Sequence, residues 1–201
     1  MMVFAAYRES LKRIRRTYAA LDAKNAELTR RWERENGRPV SCRKGCGECC
    51  KQWVGVSFLE ALWCAIACEK TGYDLSARGL KSAADVARLP GMTRERWFGL
   101  GNPCIFLRSD KACGVHALRP IACRAVIVIS NPSDCKSATG EVTRLQNRDA
   151  VHAAYRILQA EHAASSLLMV VAALPLMVEL VFQDARPGDL QKDAGVWGLS
   201  E

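Results

Sequence analysis

Four cysteines fall within nine residues at Cys42, Cys46, Cys49 and Cys50, in the stretch SCRKGCGECCK. The spacing Cys42-x3-Cys46-x2-Cys49 lets three sulfurs converge on one centre. Gly45 and Gly47 let the backbone wrap closely and leave amides free to point at sulfur. Four thiolates around Zn²⁺ or around an oxidised 4Fe–4S cube leave a net negative charge. Arg43, Lys44 and Lys51 beside the thiols offset it and favour the thiolate form. Cys50 follows Cys49 directly, so its sulfur points elsewhere, to a second metal or to a bridge in a larger centre. A second set lies downstream: Cys104 in NPCIFL, Cys113 in KACGVH, Cys123 in IACR, and Cys135. Arg119-Pro120 sets a rigid turn between Cys113 and Cys123. Eight thiols suit two tetrahedral sites, or one cluster with ligands in reserve.

Compartment decides how ten cysteines in 201 residues are to be understood. The N-terminus, MMVFAAYRESLKRIRR, has no apolar run of useful length for a leader and no small-residue cleavage site, so the expected location is the cytoplasm. In a reducing compartment, clustered cysteines are metal ligands or redox thiols rather than disulfides. Hydrophobic residues make up 49% of the chain, enough to bury a core. No Ser/His/Asp pattern, P-loop or dinucleotide fingerprint is present, and the question of catalysis stays open.

These residues need elements to position them. Residues 4–35 read as one long helix. Phe4, Tyr7, Leu11, Ile14, Tyr18, Leu21, Asn25, Leu28 and Trp32 form a heptad stripe on it, with Asn25 as its polar member. The stripe fits packing on the chain's own body and fits equally a second copy or a protein partner. Asn36-Gly37-Arg38-Pro39 ends the helix. Ser57-Phe58-Leu59-Glu60 is a capping box that opens a second helix, to about residue 70. A weaker helix is predicted near 75–88. Ala125–Ser130 is the one convincing strand, and residues 143–182 read as helical, broken at Ser165-Ser166 or near Pro175. The uncharged stretch between His162 and Glu179 reads as a buried core helix rather than a membrane span, which needs roughly 20 apolar residues.

Charge divides the chain. Residues 1–44 carry 12 Lys/Arg against 5 Asp/Glu, and the remainder carries 17 against 16. The basic N-terminal segment could meet an acidic partner, nucleic acid or an anionic membrane surface, or be a solvated helix face. Cys64 and Cys68, spaced i and i+4 on an apolar helix, read as buried small hydrophobes. His152 and His162, on a charged helix, read as surface residues. Arg119 and Arg124 read as charge compensation or hydrogen-bond donors to sulfur.

The CxxxCxxCC run, the Ser-x-x-Glu helix start, PCxFL, CxxHxxRPxxCR and one further cysteine together resemble the YkgJ family of cysteine-cluster proteins. That family carries the CxxCxxCC domain, described as zinc- or iron-chelating. The resemblance covers roughly residues 42–136. It implies a metal-ligand set of Cys42, Cys46, Cys49, Cys50, Cys104, Cys113, Cys123 and Cys135. It accepts an aromatic residue where His116 stands, so His116 is expected beside the ligands rather than on the metal. This chain has one more residue between its first two cysteines than the family name implies. A related domain occurs in flagellin lysine methylase, which implies an iron–sulfur cluster, although nothing else here points to flagellin. The Cys42–Cys49 spacing also resembles the cluster loop of radical S-adenosylmethionine enzymes, but their barrel of repeated βα units has no counterpart in a chain with one good strand.

The expected fold is mainly α: a helical domain around a loop-rich cysteine-ligated metal centre, with a long N-terminal helix and at most a short β element. Residues 1–38 form the basic helix, 39–185 the metal-binding domain with its C-terminal helices, and 186–201 a loose tail. The expected function is thiolate metal binding, with an iron–sulfur cluster in a redox or electron-transfer role. The first alternative is a zinc-binding structural or adaptor protein whose N-terminal helix meets protein or nucleic acid. The second is a metalloenzyme with an open metal position.

Overall fold

The longest element is α1, Arg8–Asn36. It stops at Gly37, whose positive φ of 64° lets its N–H return to the Glu33 carbonyl at 2.9 Å. The chain is seen in a computed structural model that describes residues 6–43, 45–136, 142–167 and 169–183. Phe4, Lys44 and the 186–201 tail lie outside the described residues.

The heptad stripe of α1 faces inward. Leu11, Ile14, Tyr18 and Leu21 are each 4% exposed or less and belong to the main core. Leu28 and Trp32 are half-buried farther along. Asn25 is buried, and its amide donates to the Arg124 carbonyl at 3.0 Å, so the stripe's polar member pairs within the chain. Helix α6, Arg148–Ala164, packs along α1. Arg13 meets Glu161 at 2.6 Å, and the Ser10 and Ser165 hydroxyls meet at 3.0 Å.

The capping box forms as expected. The Ser57 N–H donates to Glu60 Oε2 at 3.1 Å, and the Glu60 N–H donates back to Ser57 Oγ at 3.5 Å. It starts α2, Phe58–Thr71. Directly before it lies β1, Gly55–Ser57, which pairs antiparallel with β4, Val171–Ala173, in the register Gly55↔Ala173, Val56↔Ala172 and Ser57↔Val171. β4 leads straight into α7, Leu174–Phe182, and α2 packs on α7 at the centre of the core. Between them in sequence come α3, Leu80–Ala87, α4, Arg94–Leu100, and α5, Ile121–Arg124. The other ribbon joins β2, Ile127–Val128, to β3, Arg144–Leu145.

Three readings need correction. The stretch between His162 and Glu179 is not one helix. Ser166 takes a positive φ of 53° and ends α6, and the β-branched Val171 pairs with β1. Pro175 lies in the first turn of α7, where a missing N–H costs no helical bond. Ala125–Ser130 supplies only a two-residue strand. His162 is 1% exposed, not a surface residue; its Nδ1 lies 2.9 Å from the Leu158 carbonyl. His152 is exposed. Among the described residues, no helix is long and apolar enough to cross a membrane.

Burial holds the His162 imidazole below its ordinary pKa of 6.5, because the charged ring would lose its hydration. A base with a depressed folded pKa contributes full stability above the unfolded value and loses it as pH falls through the folded one. Unfolding free energy is therefore expected to decline below about pH 6.5. In His162→Gln that part of the decline should flatten, measured by urea titration across pH 5 to 8; an unchanged slope would remove His162 as the cause.

Candidate metal centre

The loop after α1 carries the first cysteines and lies beside β2. The Ser41 N–H donates to the Val128 carbonyl at 2.9 Å, and the Val128 N–H donates to Cys42 Sγ at 3.1 Å. Gly45 turns the loop at φ 84°, a conformation a side chain would strain, and Cys46 follows with its N–H on the Arg43 carbonyl. Cys49 and Cys50 sit in a 3-10 turn, Glu48–Lys51, which packs against a second such turn, Pro132–Lys136, that carries Cys135.

Cys104 is tied to the first set through its N–H, which donates to the Cys50 carbonyl at 2.6 Å. It begins a tight hairpin in which Leu107 bridges Cys113 and the Gly114 N–H reaches the Phe106 carbonyl. A side chain at Gly114 would come within 2.9 Å of the Tyr73 ring, so glycine is needed for this approach. Cys123 lies on α5, which begins directly after Pro120.

All eight expected ligands, Cys42, Cys46, Cys49, Cys50, Cys104, Cys113, Cys123 and Cys135, line one cavity of about 840 Å³. Among the described residues, no group of three or more Cys, His, Asp or Glu side chains is drawn together as a ready single-ion site. The donor chemistry fits a thiophilic metal. The Val128 N–H donates to Cys42 Sγ at 3.1 Å, and the Phe106 and Val115 amides act to lower the thiol pKa of Cys104 and Cys113. Such bonds favour a thiolate over a thiol.

Burial opposes them. It raises the thiol pKa of Cys42, Cys113, Cys123 and Cys135 and pushes Cys104 up to about 12. Cys49 moves the other way, lowered chiefly by hydrogen bonding with the adjoining Cys50 thiol, which in turn holds Cys50 protonated. Metal-free, most of the site is neutral thiol, and metal uptake would release protons. The cation common to the site is Arg119, whose charge lowers the pKa of Cys42, Cys49, Cys113 and Cys123. Arg124 does something different. It is 1% exposed, stacks 4.3 Å over Tyr18, pairs with Asp22, and donates to the carbonyls of Arg119 at 2.8 Å and Ala117 at 2.6 Å. It clamps the Cys113–Cys123 segment to α1.

His116 is exposed, with Nδ1 3.2 Å from the Arg119 guanidinium. Cys64 and Cys68 are 0% and 2% exposed and lie outside the cavity lining, as small hydrophobes would; the Cys64 thiol points at the Leu118 carbonyl at 3.6 Å. The sequence reading missed one wall. Asp22, Asn25, Ala26 and Thr29 of α1 line the cavity, and Asp22 also meets Arg119 at 3.5 Å. Asp22 is one of five acids on α1, and nothing in the local sequence singles it out.

The family model CxxCxxCC, described as a "putative zinc- or iron-chelating domain", matches residues 41–144, just over half of the chain and all eight cavity cysteines. The chain belongs to this family. No curated protein and no solved structure matches it. The α1 wall of the cavity lies outside the matched segment.

Proposed function

We propose that the eight cysteines hold an iron–sulfur cluster and that the protein serves in electron transfer or redox sensing. The observation that carries this reading is the shared cavity: eight thiols from five separate chain segments line one space. Zinc and a 4Fe–4S cube each take four cysteines, and the room of one common chamber of about 840 Å³ favours the larger group. A bound cluster would supply one-electron chemistry at a potential set by hydrogen bonds to sulfur, net charge and exposure. The chain's own part is to present the sulfurs, to direct the Val128 amide at Cys42, and to place Arg119 against their combined negative charge.

Cys46→Ser and Cys113→Ser are each expected to lower bound metal to well under half and to lower the thermal midpoint, because metal-binding free energy is partly folding free energy. Cys64→Ala and Cys68→Ala should keep their metal. Metal analysis of the four variants checks the assignment; full loading of the first pair or loss in the second would reverse it.

A further inference from the structure

We infer that the outer face of α1 is a docking surface for the phosphate backbone of double-stranded nucleic acid. The buried residues Leu11, Ile14, Tyr18, Leu21 and Asn25 fix which side of α1 faces the core. At 3.6 residues per turn, Lys12, Arg16, Arg30 and Arg34 project opposite them, with Arg8, Arg15 and Lys24 at the flanks. All seven are exposed. The acids on this face are Glu9, which pairs with Lys12 at 2.7 Å, and Glu27. Arg8, Arg15, Arg16, Lys24, Arg30 and Arg34 form no ion pair among the described residues.

The cations fall in two groups. Between Arg16 and Arg30, a span of about 21 Å at 1.5 Å per residue, this side presents the exposed small residues Ala19, Ala20 and Ala23 and one acid, Glu27, whose charge the flanking cations outnumber. A centre of mostly small side chains with a cationic group at each end suits a straight helix lying over a groove about 12 Å wide, its long arginine side chains reaching inward to the two flanking phosphate strands. The exposed face has no aromatic residue on which unpaired bases could stack, which argues against single strands. It has no large apolar residue either, and the apolar side of α1 is already buried in the core. Insertion into a membrane interface needs such a side free. Contact through phosphates alone makes the binding independent of base sequence.

The test uses the full-length protein and a fluorescein-labelled 20-base-pair duplex, followed by anisotropy from 50 to 200 mM salt. With about five phosphates engaged, log K should fall against log salt with a slope near −4.5, a loss of roughly 10²- to 10³-fold over that range. The triple variant Arg16→Glu, Arg30→Glu, Arg34→Glu should lose at least tenfold in affinity at 50 mM salt and show a shallower slope, with circular dichroism and metal content unchanged. Lysine in the same three positions should restore binding. Vesicles containing phosphatidylserine, and poly-glutamate at matched charge, serve as the competing anions. No binding to the duplex, an equal affinity in the triple variant, or tighter capture by the vesicles or poly-glutamate would overturn the proposal.

Discussion

A chain lacking residues 1–36 is expected to be unfolded at room temperature. The helix it loses is a wall of the core rather than an appendage. Leu11, Ile14, Tyr18 and Leu21 are each 4% exposed or less, and burying a large apolar side chain contributes about 1.5–3 kcal/mol. Their sum rivals the whole stability of a small domain, about 5–15 kcal/mol. Truncation would also strip Arg124 of the Tyr18 ring and the Asp22 carboxylate, leaving a guanidinium that is 1% exposed without its ion pair. Circular dichroism with a urea titration measures the outcome. A cooperative transition and full metal content in the truncated chain would show that α1 is separable from the body.

Glu60→Ala is expected to cost about 3–5 kcal/mol, among the largest effects of any single substitution. The carboxylate is 2% exposed and joins three parts of the chain. Oε2 caps α2 through the Ser57 N–H and hydroxyl, at 3.1 and 3.2 Å. Oε1 accepts from the Ile121 N–H at 2.9 Å, at the start of the helix that bears Cys123, and from the Tyr18 hydroxyl of α1 at 3.2 Å. Truncation leaves these buried donors without an acceptor, at about 1–3 kcal/mol for each one that water cannot reach. The urea midpoint should drop with little change in slope, and metal retention should weaken because α5 loses its anchor. A change under about 1 kcal/mol would mean that water replaces the carboxylate, and that Glu60 does not couple the capping box to the cysteine segment.

The elements that rest on local rules were legible in the chain. The capping box and the Gly37 stop each follow from residue types at fixed offsets. The eight cavity cysteines were legible as well, the first four from their close spacing and the whole set from the resemblance to the CxxCxxCC family. What escaped was set by tertiary contact. Periodicity identifies the stripe on α1 but not the surface that covers it, and Asn25 pairs with a carbonyl 99 residues away. Val171–Ala173 becomes a strand because β1 lies beside it, a neighbour no local window contains. His162 has charged neighbours in sequence, yet the helix turns it inward. Asp22 joins the site only because α1 crosses the Arg119–Arg124 segment.

The most direct test of the account is the metal itself. Protein produced with ample iron and purified without oxygen should be brown, should contain iron and acid-labile sulfide in equal amounts, and should bleach in air. Analysis of iron, sulfide and zinc on the same sample, followed by reconstitution with ferrous iron and sulfide, gives the decisive measurement. A colourless preparation with stoichiometric zinc, and no cluster after reconstitution, would contradict the iron–sulfur account.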